Sequence, residues 1–218
     1  MNFFRSFVFS LVLSLAYACT SGHGTDFRVI SPDGTLAVDV RTGDSLTYAV
    51  TRHGASVLLP SAIALQFDDG TAPGRVARVS DVHRSAVERE IEAPFHRQAR
   101  FTEHYNQLRL DFEGGYSVTF RVFDEGCAYR FETALTGGRT VADEVAEFNA
   151  YQSQYVKCRL SELGTEKPVL LPLAADCGPA GRVLVCESDL ESYPGMFLMP
   201  SSGGLRGLFA QVPDSCYL

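Results

Sequence analysis

Two carboxylates near the end of the chain stand where they could bind a cation or a sugar hydroxyl. Residues 183–186 form a short apolar segment that is typical of a buried strand. Glu187 and Asp189 follow at alternate positions, so in an extended chain both side chains point to one face. Residues 193–195 then end the segment, because proline fixes its own φ and glycine permits a sharp turn. This pattern predicts either a metal or substrate site or a polar strand end with a solvated acidic loop.

Residues suited to acid–base or nucleophilic catalysis are scattered rather than grouped. The five histidines show no paired spacing, and surface positions are expected for them. There is no G-x-S-x-G segment for a nucleophilic serine and no glycine-rich loop that would hold a phosphate. We therefore predict no catalytic residue in this chain. The histidines are His23 in a polar tether, His53 in a predicted turn, and His83, His96 and His104 in polar segments.

Arginines and tyrosines supply a second group of candidate sugar contacts. Arg121 and Arg130, with Asp124 and Glu125 between them, could bind a hydroxyl or a carboxylate, but ion pairs that brace a hairpin are the simpler expectation. Tyrosines near turns could stack on sugar rings, although most such tyrosines close a core. They are Tyr105, Tyr116, Tyr151, Tyr155 and Tyr193.

The elements that position these residues are predicted to be strands. Alternation with a period of two dominates, and no helical segment is long enough for a β-α-β crossover. The pattern predicts an all-β antiparallel sandwich, with a turn at Asn106 and ambiguous segments at 76–91 and 141–147. The predicted strands are 35–41, 45–51, 55–60, 62–67, 101–105, 107–113, 116–123, 128–136, 169–174, 182–187, 196–199 and 205–211.

Composition limits the classes of partner. A chain of 218 residues with 45% hydrophobic content can bury the core of one domain. Its formal net charge of −7 argues against a nucleic-acid partner and suits a secreted protein.

The first residues predict export. Arg5 precedes an apolar segment at 7–15 that is too short to span a bilayer, so 1–18 are interpreted as a signal peptide. Residues 16–19 satisfy the small-x-small rule for signal peptidase and also resemble a lipobox in which Cys19 is lipidated. Residues 19–26 would then be a flexible tether. The expected location is the periplasm or, for a lipoprotein anchored through Cys19, the outer membrane of a Gram-negative bacterium.

The other five cysteines match no metal-binding spacing. A bridge between Cys177 and Cys186, across two adjacent strands, would be compatible with a turn at 178–181. Burial as small hydrophobic side chains is the alternative. The five are Cys127, Cys158, Cys177, Cys186 and Cys216.

An ordered set of segments resembles the N-terminal domain of glycoside hydrolase family 97, which comprises bacterial α-glucosidases and α-galactosidases. The resemblance covers about residues 27–213 and implies a β-supersandwich similar to the galactose-mutarotase fold. The segments are S-P-D-G at 31–34, L-T-Y-A-V at 46–50, L-Q-F-D-D-G at 65–70, Y-N-Q-L at 105–108, F-R-V-F-D-E-G-C-A-Y-R-F at 120–131 and E-S-D-L-x-x-Y-P-G-M at 187–196.

The resemblance implies that Glu187 is one ligand of an active-site calcium ion. The other glutamates of that site would come from a catalytic (β/α)8 barrel, which also carries the catalytic carboxylates and follows this domain in the family. Calcium takes six to eight oxygen ligands, so Glu187 alone should bind it weakly. Asp189 would more simply anchor the following turn.

The chain ends at Leu218, before such a barrel, and 27–218 is expected to be a domain that is incomplete at its C-terminal end through truncation or frameshift. The resemblance then implies a domain that contacts an α-linked saccharide and is inactive alone. The alternative is a free-standing carbohydrate-binding or interaction lipoprotein without hydrolase activity. A mutarotase-like enzyme is less well supported, because no convincing His/Glu set is present.

Overall fold

A computed structural model describes most of the chain from Thr25 to Phe209. Within the described residues, no helix is long and apolar enough to cross a bilayer. The predictions for the signal peptide, Cys19, His23, His96, Tyr151, Cys158, Asp189 and Cys216 fall outside these residues and stay predictions. The described ranges are 25–94, 99–135, 139–149, 154–155, 168–177, 181–188, 193–201 and 203–209.

The described residues form antiparallel strands and no helix, which confirms the predicted all-β class. In chain order the strands are β1 (Asp26–Ile30), β2 (Leu36–Arg41), β3 (Thr47–Arg52), β4 (Ala55–Phe67), β5 (Val79–Glu92), β6 (Arg100–Phe112), β7 (Tyr116–Val122), β8 (Cys127–Thr133), β9 (Val141–Phe148), β10 (Gln154–Tyr155), β11 (Val169–Leu170), β12 (Leu173–Asp176), β13 (Arg182–Val185), β14 (Met196–Ser201) and β15 (Gly204–Phe209).

These strands make three sheets. The large sheet has the order β1-β2-β3-β4-β9-β15-β14-β11, the four-stranded sheet is β5-β6-β7-β8, and the small sheet is β10-β12-β13. Alternate residues of the large sheet pack against alternate residues of the four-stranded sheet, as in a sandwich. Full burial of a side chain such as Phe120 contributes about 2 kcal/mol. The largest fully buried side chains are Phe120, Leu46, Ile63, Leu108, Leu110 and Leu198.

The turn predicted at His53 joins β3 to β4, which pair as a hairpin. His53 has a φ of 50° and Gly54 a φ of 78°, the left-handed pair that a tight hairpin turn requires. His53 is therefore a turn residue, as expected.

Two strand breaks expected from the sequence are wrong. Residues 55–60 and 62–67 form one strand, β4, because a register shift between Tyr48 and Thr51 of β3 accommodates the extra length. No turn occurs at Asn106, which pairs within β6 on both sides. Its amide instead donates a hydrogen bond to the carbonyl oxygen of Ile30 at 2.8 Å, so a distant acceptor satisfies the group that would otherwise favour a turn.

The possible Cys177–Cys186 bridge is also wrong. Cys186 has a free, exposed thiol. The register explains why: β12 and β13 are antiparallel and Asp176 faces Arg182, so Cys177 lies at the turn end of the pair and Cys186 at the far end. Strand residues rise about 3.3 Å each, which separates the two sulfurs far beyond bonding distance.

Candidate functional site

Glu187 is held in place by a hydrogen bond from β14, the next strand along the chain. It comes just after β13 and is half-buried. Its Oε2 accepts a hydrogen bond of 2.8 Å from the backbone N–H of Met196, the first residue of β14. The predicted turn at 193–195 therefore returns the chain to the carboxylate, and this bond fixes one of its two oxygens.

A second carboxylate, Glu144, lies nearby and is absent from the sequence-based candidates. Glu144 is in β9 and pairs with Leu65 of β4, which is buried on the inner face of the large sheet. Ala146, two residues along on the same face, is buried as well. Because side chains alternate along a strand, Glu144 lies on the inner face of the large sheet, where it is partly buried.

Tyr193 joins the turn to Glu144. Its hydroxyl donates a hydrogen bond of 2.8 Å to Glu144 Oε2. Its ring meets the ring of Phe209 edge to face, with the centroids 5.6 Å apart. Pro194, the next residue, is buried. The turn is thus anchored by a polar contact and by packing. We call Glu144, Glu187 and Tyr193 the carboxylate cluster.

The cluster is electrostatically unusual. Burial raises the pKa of the Glu144 carboxyl, and the charge of Glu187 adds to the increase, although the bond from Tyr193 opposes it. Burial also raises the pKa of the Tyr193 hydroxyl, with the charge of Glu144 as the next cause. Tyr193 therefore stays protonated and remains a hydrogen-bond donor.

The cluster can contribute to a cation site but cannot complete one. Glu187 keeps Oε1 for a cation while the amide of Met196 orients the carboxylate. A calcium ion needs six to eight oxygen ligands, so these carboxylates can supply part of its coordination sphere but not all of it. A bound divalent cation would also oppose the raised pKa of Glu144, since nearby positive charge favours the ionised carboxylate.

The arginine candidates have structural partners. Arg121 donates to Gln107 Oε1 at 3.0 Å, and its guanidinium lies 4.8 Å from the centroid of the Tyr105 ring. Arg130 pairs with Glu132 on the same strand. Asp124 accepts a bond of 2.9 Å from the N–H of Asp33, which ties the turn after β7 to the turn after β1. These contacts agree with the bracing role expected from the sequence. Glu125 is exposed.

Two of the tyrosine candidates close the core. Tyr105 and Tyr116 are buried, and Tyr116 accepts a hydrogen bond of 3.1 Å from the N–H of Gly74. Tyr155 lies in β10. Among the described candidates, Tyr193 is the one that the structure brings to a carboxylate.

A signal for Glu144 exists in the sequence. Residues 141–148 read V-A-D-E-V-A-E-F, and in a strand Ala142, Glu144, Ala146 and Phe148 share one face. A glutamate among small and apolar residues on an inward face marks a buried acid. The segment was ambiguous between a strand and a helical turn, so this periodicity was not decisive.

Comparison with known proteins gives matches along nearly the whole described sandwich. The model of the glycosyl-hydrolase 97 N-terminal family matches residues 29–213. A retaining α-galactosidase from Bacteroides thetaiotaomicron is 34% identical over 206 residues, which are 83% of this chain and 31% of that protein. A probable retaining α-galactosidase from Streptomyces bingchenggensis is 29% identical over 119 residues, 53% of this chain and 18% of that protein. The chain thus spans less than a third of these relatives.

Solved structures give the same result for the fold. A glycoside hydrolase family 97 enzyme from Pseudoalteromonas sp. strain K8, in complex with acarbose, has a TM-score of 0.73 at 18% identity. That match covers 84% of this chain and 32% of the enzyme. A β-arabinopyranosidase has a TM-score of 0.72 at 20% identity, and the match covers 83% of this chain and 35% of that enzyme. At these identities the likeness establishes the sandwich fold alone.

Proposed function

Because the chain belongs to the glycosyl-hydrolase 97 N-terminal family, we propose that it forms one wall of the active site of a calcium-dependent α-glycoside hydrolase and supplies one calcium ligand, Glu187. The observation that carries the proposal is the fixed, half-buried carboxylate of Glu187, which is held by the N–H of Met196. The remaining calcium ligands and both catalytic carboxylates would come from a (β/α)8 barrel, in the same polypeptide or on a separate chain.

The proposed substrate is an α-linked saccharide. Both curated relatives are described as retaining α-galactosidases, which favours an α-galactoside. Retention requires two carboxyl groups about 5–5.5 Å apart, one as nucleophile and one as acid and base. We assign neither role to a residue of this chain. When bound, calcium would supply a positive charge that orients and polarises oxygen atoms, and Glu187 would help to hold it.

The proposed location is outside the cytoplasm. Residues 1–18 carry the features of an export signal, and Cys19 follows at the position that a lipid anchor would use. We propose a periplasmic protein or a lipoprotein of the outer membrane, with the saccharide met outside the cytoplasm.

A domain exchange tests the proposed function. In the Bacteroides thetaiotaomicron α-galactosidase, the matched N-terminal part would be replaced by this domain, and hydrolysis of an aryl α-galactoside would be measured against calcium concentration. We expect calcium-dependent hydrolysis by the exchanged enzyme and none by the purified chain alone. Glu187→Gln should raise the calcium concentration needed for half-maximal activity at least about tenfold, because a ligand charge is lost.

Glu88→Gln is the matched control. Glu88 is an exposed residue of β5 in the other layer, and the same change of charge there should leave the calcium dependence unaltered. If Glu187→Gln behaves like Glu88→Gln, Glu187 is not a calcium ligand. Hydrolysis by the chain alone would show instead that it contains catalytic groups. Saccharide binding by the chain without activity in the exchanged enzyme would favour the free-standing binding lipoprotein.

A further inference from the structure

Three metal-binding side chains meet on the solvent-facing side of the four-stranded sheet. His83 Nε2 lies 2.8 Å from Asp111 Oδ2 and 3.5 Å from Asp81 Oδ2. The three donor atoms all lie within 4.8 Å of one another. In the part of the chain that the structure describes, no further group of three His, Cys, Asp or Glu side chains converges in this way. The group belongs to a different sheet from the carboxylate cluster and plays no part in the function proposed above.

The strand register creates this group. Asp81 of β5 is directly opposite Asp111 of β6, and His83 follows Asp81 on the same face. A register shift between Val79 and Asp81 marks the end of the regular ladder. Two carboxylates that face each other across a strand pair repel, and a cation bound between them would relieve that repulsion.

Each carboxylate is oriented by a protein donor. Asp81 Oδ1 accepts a hydrogen bond of 2.7 Å from the N–H of Val82, and Asp111 Oδ1 accepts one of 2.9 Å from Arg109 Nε. The remaining oxygen of each, Oδ2, is directed at His83 Nε2. Glu132 lies 2.7 Å from Arg109 and also pairs with Arg130, so the carboxylates of Asp81, Asp111 and Glu132 still outnumber the two guanidinium groups around the site. Metal ligands in proteins are commonly oriented by outer partners of this kind.

The donor types indicate the class of metal. In a tetrahedral zinc site with bonds of 2.0–2.2 Å, adjacent donor atoms are about 3.3 Å apart. The separations of 2.8 and 3.5 Å between His83 Nε2 and the two carboxylate oxygens lie on either side of that value, and the two oxygens are within 4.8 Å of each other. An imidazole nitrogen suits zinc and its neighbours in the first transition row, whereas calcium and magnesium prefer oxygen alone. We propose that Asp81, His83 and Asp111 bind a divalent transition-metal ion of the zinc type, with water as the fourth ligand.

Zinc titration of the purified chain tests the site. Thiols would first be blocked with iodoacetamide, because the cysteines would otherwise bind zinc themselves. We expect wild-type protein to bind one equivalent of zinc more than His83→Gln, and cobalt(II) to give the visible absorption of a tetrahedral site. Asp81→Asn should weaken zinc binding at least about tenfold. The side chain of Asp81 is 66% exposed, so Asp81→Asn is expected to fold normally. This variant therefore decides the outcome if His83→Gln does not fold.

His104→Gln is the matched control. His104 is an exposed histidine on β6 with one carboxylate, that of Asp124, at 3.9 Å. This variant should bind zinc as the wild type does. Identical zinc isotherms for wild type, His83→Gln and Asp81→Asn would overturn the proposal and leave a histidine–aspartate hydrogen bond. Displacement of zinc by an equal concentration of calcium would overturn the assigned metal class.

Discussion

At the residue scale, Glu144 is an ionisable group of the candidate site whose protonation is coupled to folding. Its carboxyl faces the inside of the sandwich, and burial raises its pKa above the ordinary value of 4.5. The folded protein therefore binds this proton more tightly than the unfolded chain does. Stability from this proton is fully present below pH 4.5 and is lost as the pH rises from there through the folded pKa.

Replacing Glu144 with glutamine should remove this pH dependence. Glutamine keeps an oxygen that can accept the bond from Tyr193 but never ionises. We expect the free energy of unfolding of Glu144→Gln to increase relative to that of wild type as the pH rises from 4.5 to 8, so that the variant becomes the relatively more stable protein. Urea unfolding at several pH values measures this difference. A difference that is constant with pH, or that has the opposite slope, would contradict the raised pKa.

The residues of the candidate site differ in how far their positions could be predicted from the sequence. The turn that follows Glu187 was predictable because its parts are close in the chain, whereas the role of Glu187 as a calcium ligand was implied by the family resemblance and stays a prediction. Glu144 was missed because its inward direction depends on pairing with β4, far away in sequence. The position of Asp111 beside Asp81 and His83 likewise depends on the strand register, which local patterns do not fix.

At the scale of elements, Gly74 links the two layers. It lies in the connection between β4 and β5, and its carbonyl accepts a bond of 2.8 Å from the N–H of Leu46. Its own N–H donates to the hydroxyl of Tyr116 on β7 at 3.1 Å. Its φ is +91°, and a Cβ there would lie 2.5 Å from the carbonyl oxygen of Ile63. The connection can therefore approach β4 only with glycine at this position.

Gly74→Ala should be clearly more destabilising than Gly34→Ala. Both positions have a positive φ, +91° and +78°, and so share a conformational cost of about 1–2 kcal/mol. Gly34 has no atom within 4 Å of the added Cβ, whereas at Gly74 the backbone itself must move. We expect an additional loss of at least about 1 kcal/mol for Gly74→Ala, measured by urea unfolding. Equal losses would show that the close approach to Ile63 is absent.

The elements also show where local sequence patterns succeed and fail. The alternation at 35–41 and 45–51 predicted the strands that form β2 and β3, because a period of two is a local property of the chain. The pattern predicted a turn at Asn106 that does not occur, because the side-chain amide of this residue donates its hydrogen bond to a backbone carbonyl oxygen on β1. The pattern also predicted two strands where the structure has β4 alone, because a register shift in the pairing with β3 allows one strand to continue past Pro60.

At the scale of the whole molecule, two exposed leucines lie on outer strands. Leu170 of β11, at the edge of the large sheet, is 69% exposed, and Leu184 of β13, at the edge of the small sheet, is 61% exposed. Apolar side chains beside unpaired strand edges promote association between chains.

Leu184→Lys should reduce self-association of the purified domain without loss of stability, because the side chain is mostly in solvent. Light scattering as a function of protein concentration measures the effect. Val76→Lys adds the same charge at a residue that is 62% exposed in a connection between strands, and it should change association little. An equal decrease in both variants would indicate a general effect of charge and not of the sheet edge.

The bond between Glu187 and the N–H of Met196 closes residues 187–196 into a ring. Within a ring, the number of residues matters more than most of their identities. An insertion or deletion between the two ends would separate the carboxylate from its donor, whereas a substitution between them that spares Tyr193 and Pro194 would leave the closure intact. Related chains that keep this closure are therefore expected to keep the number of residues between its two ends while the identities of those residues vary.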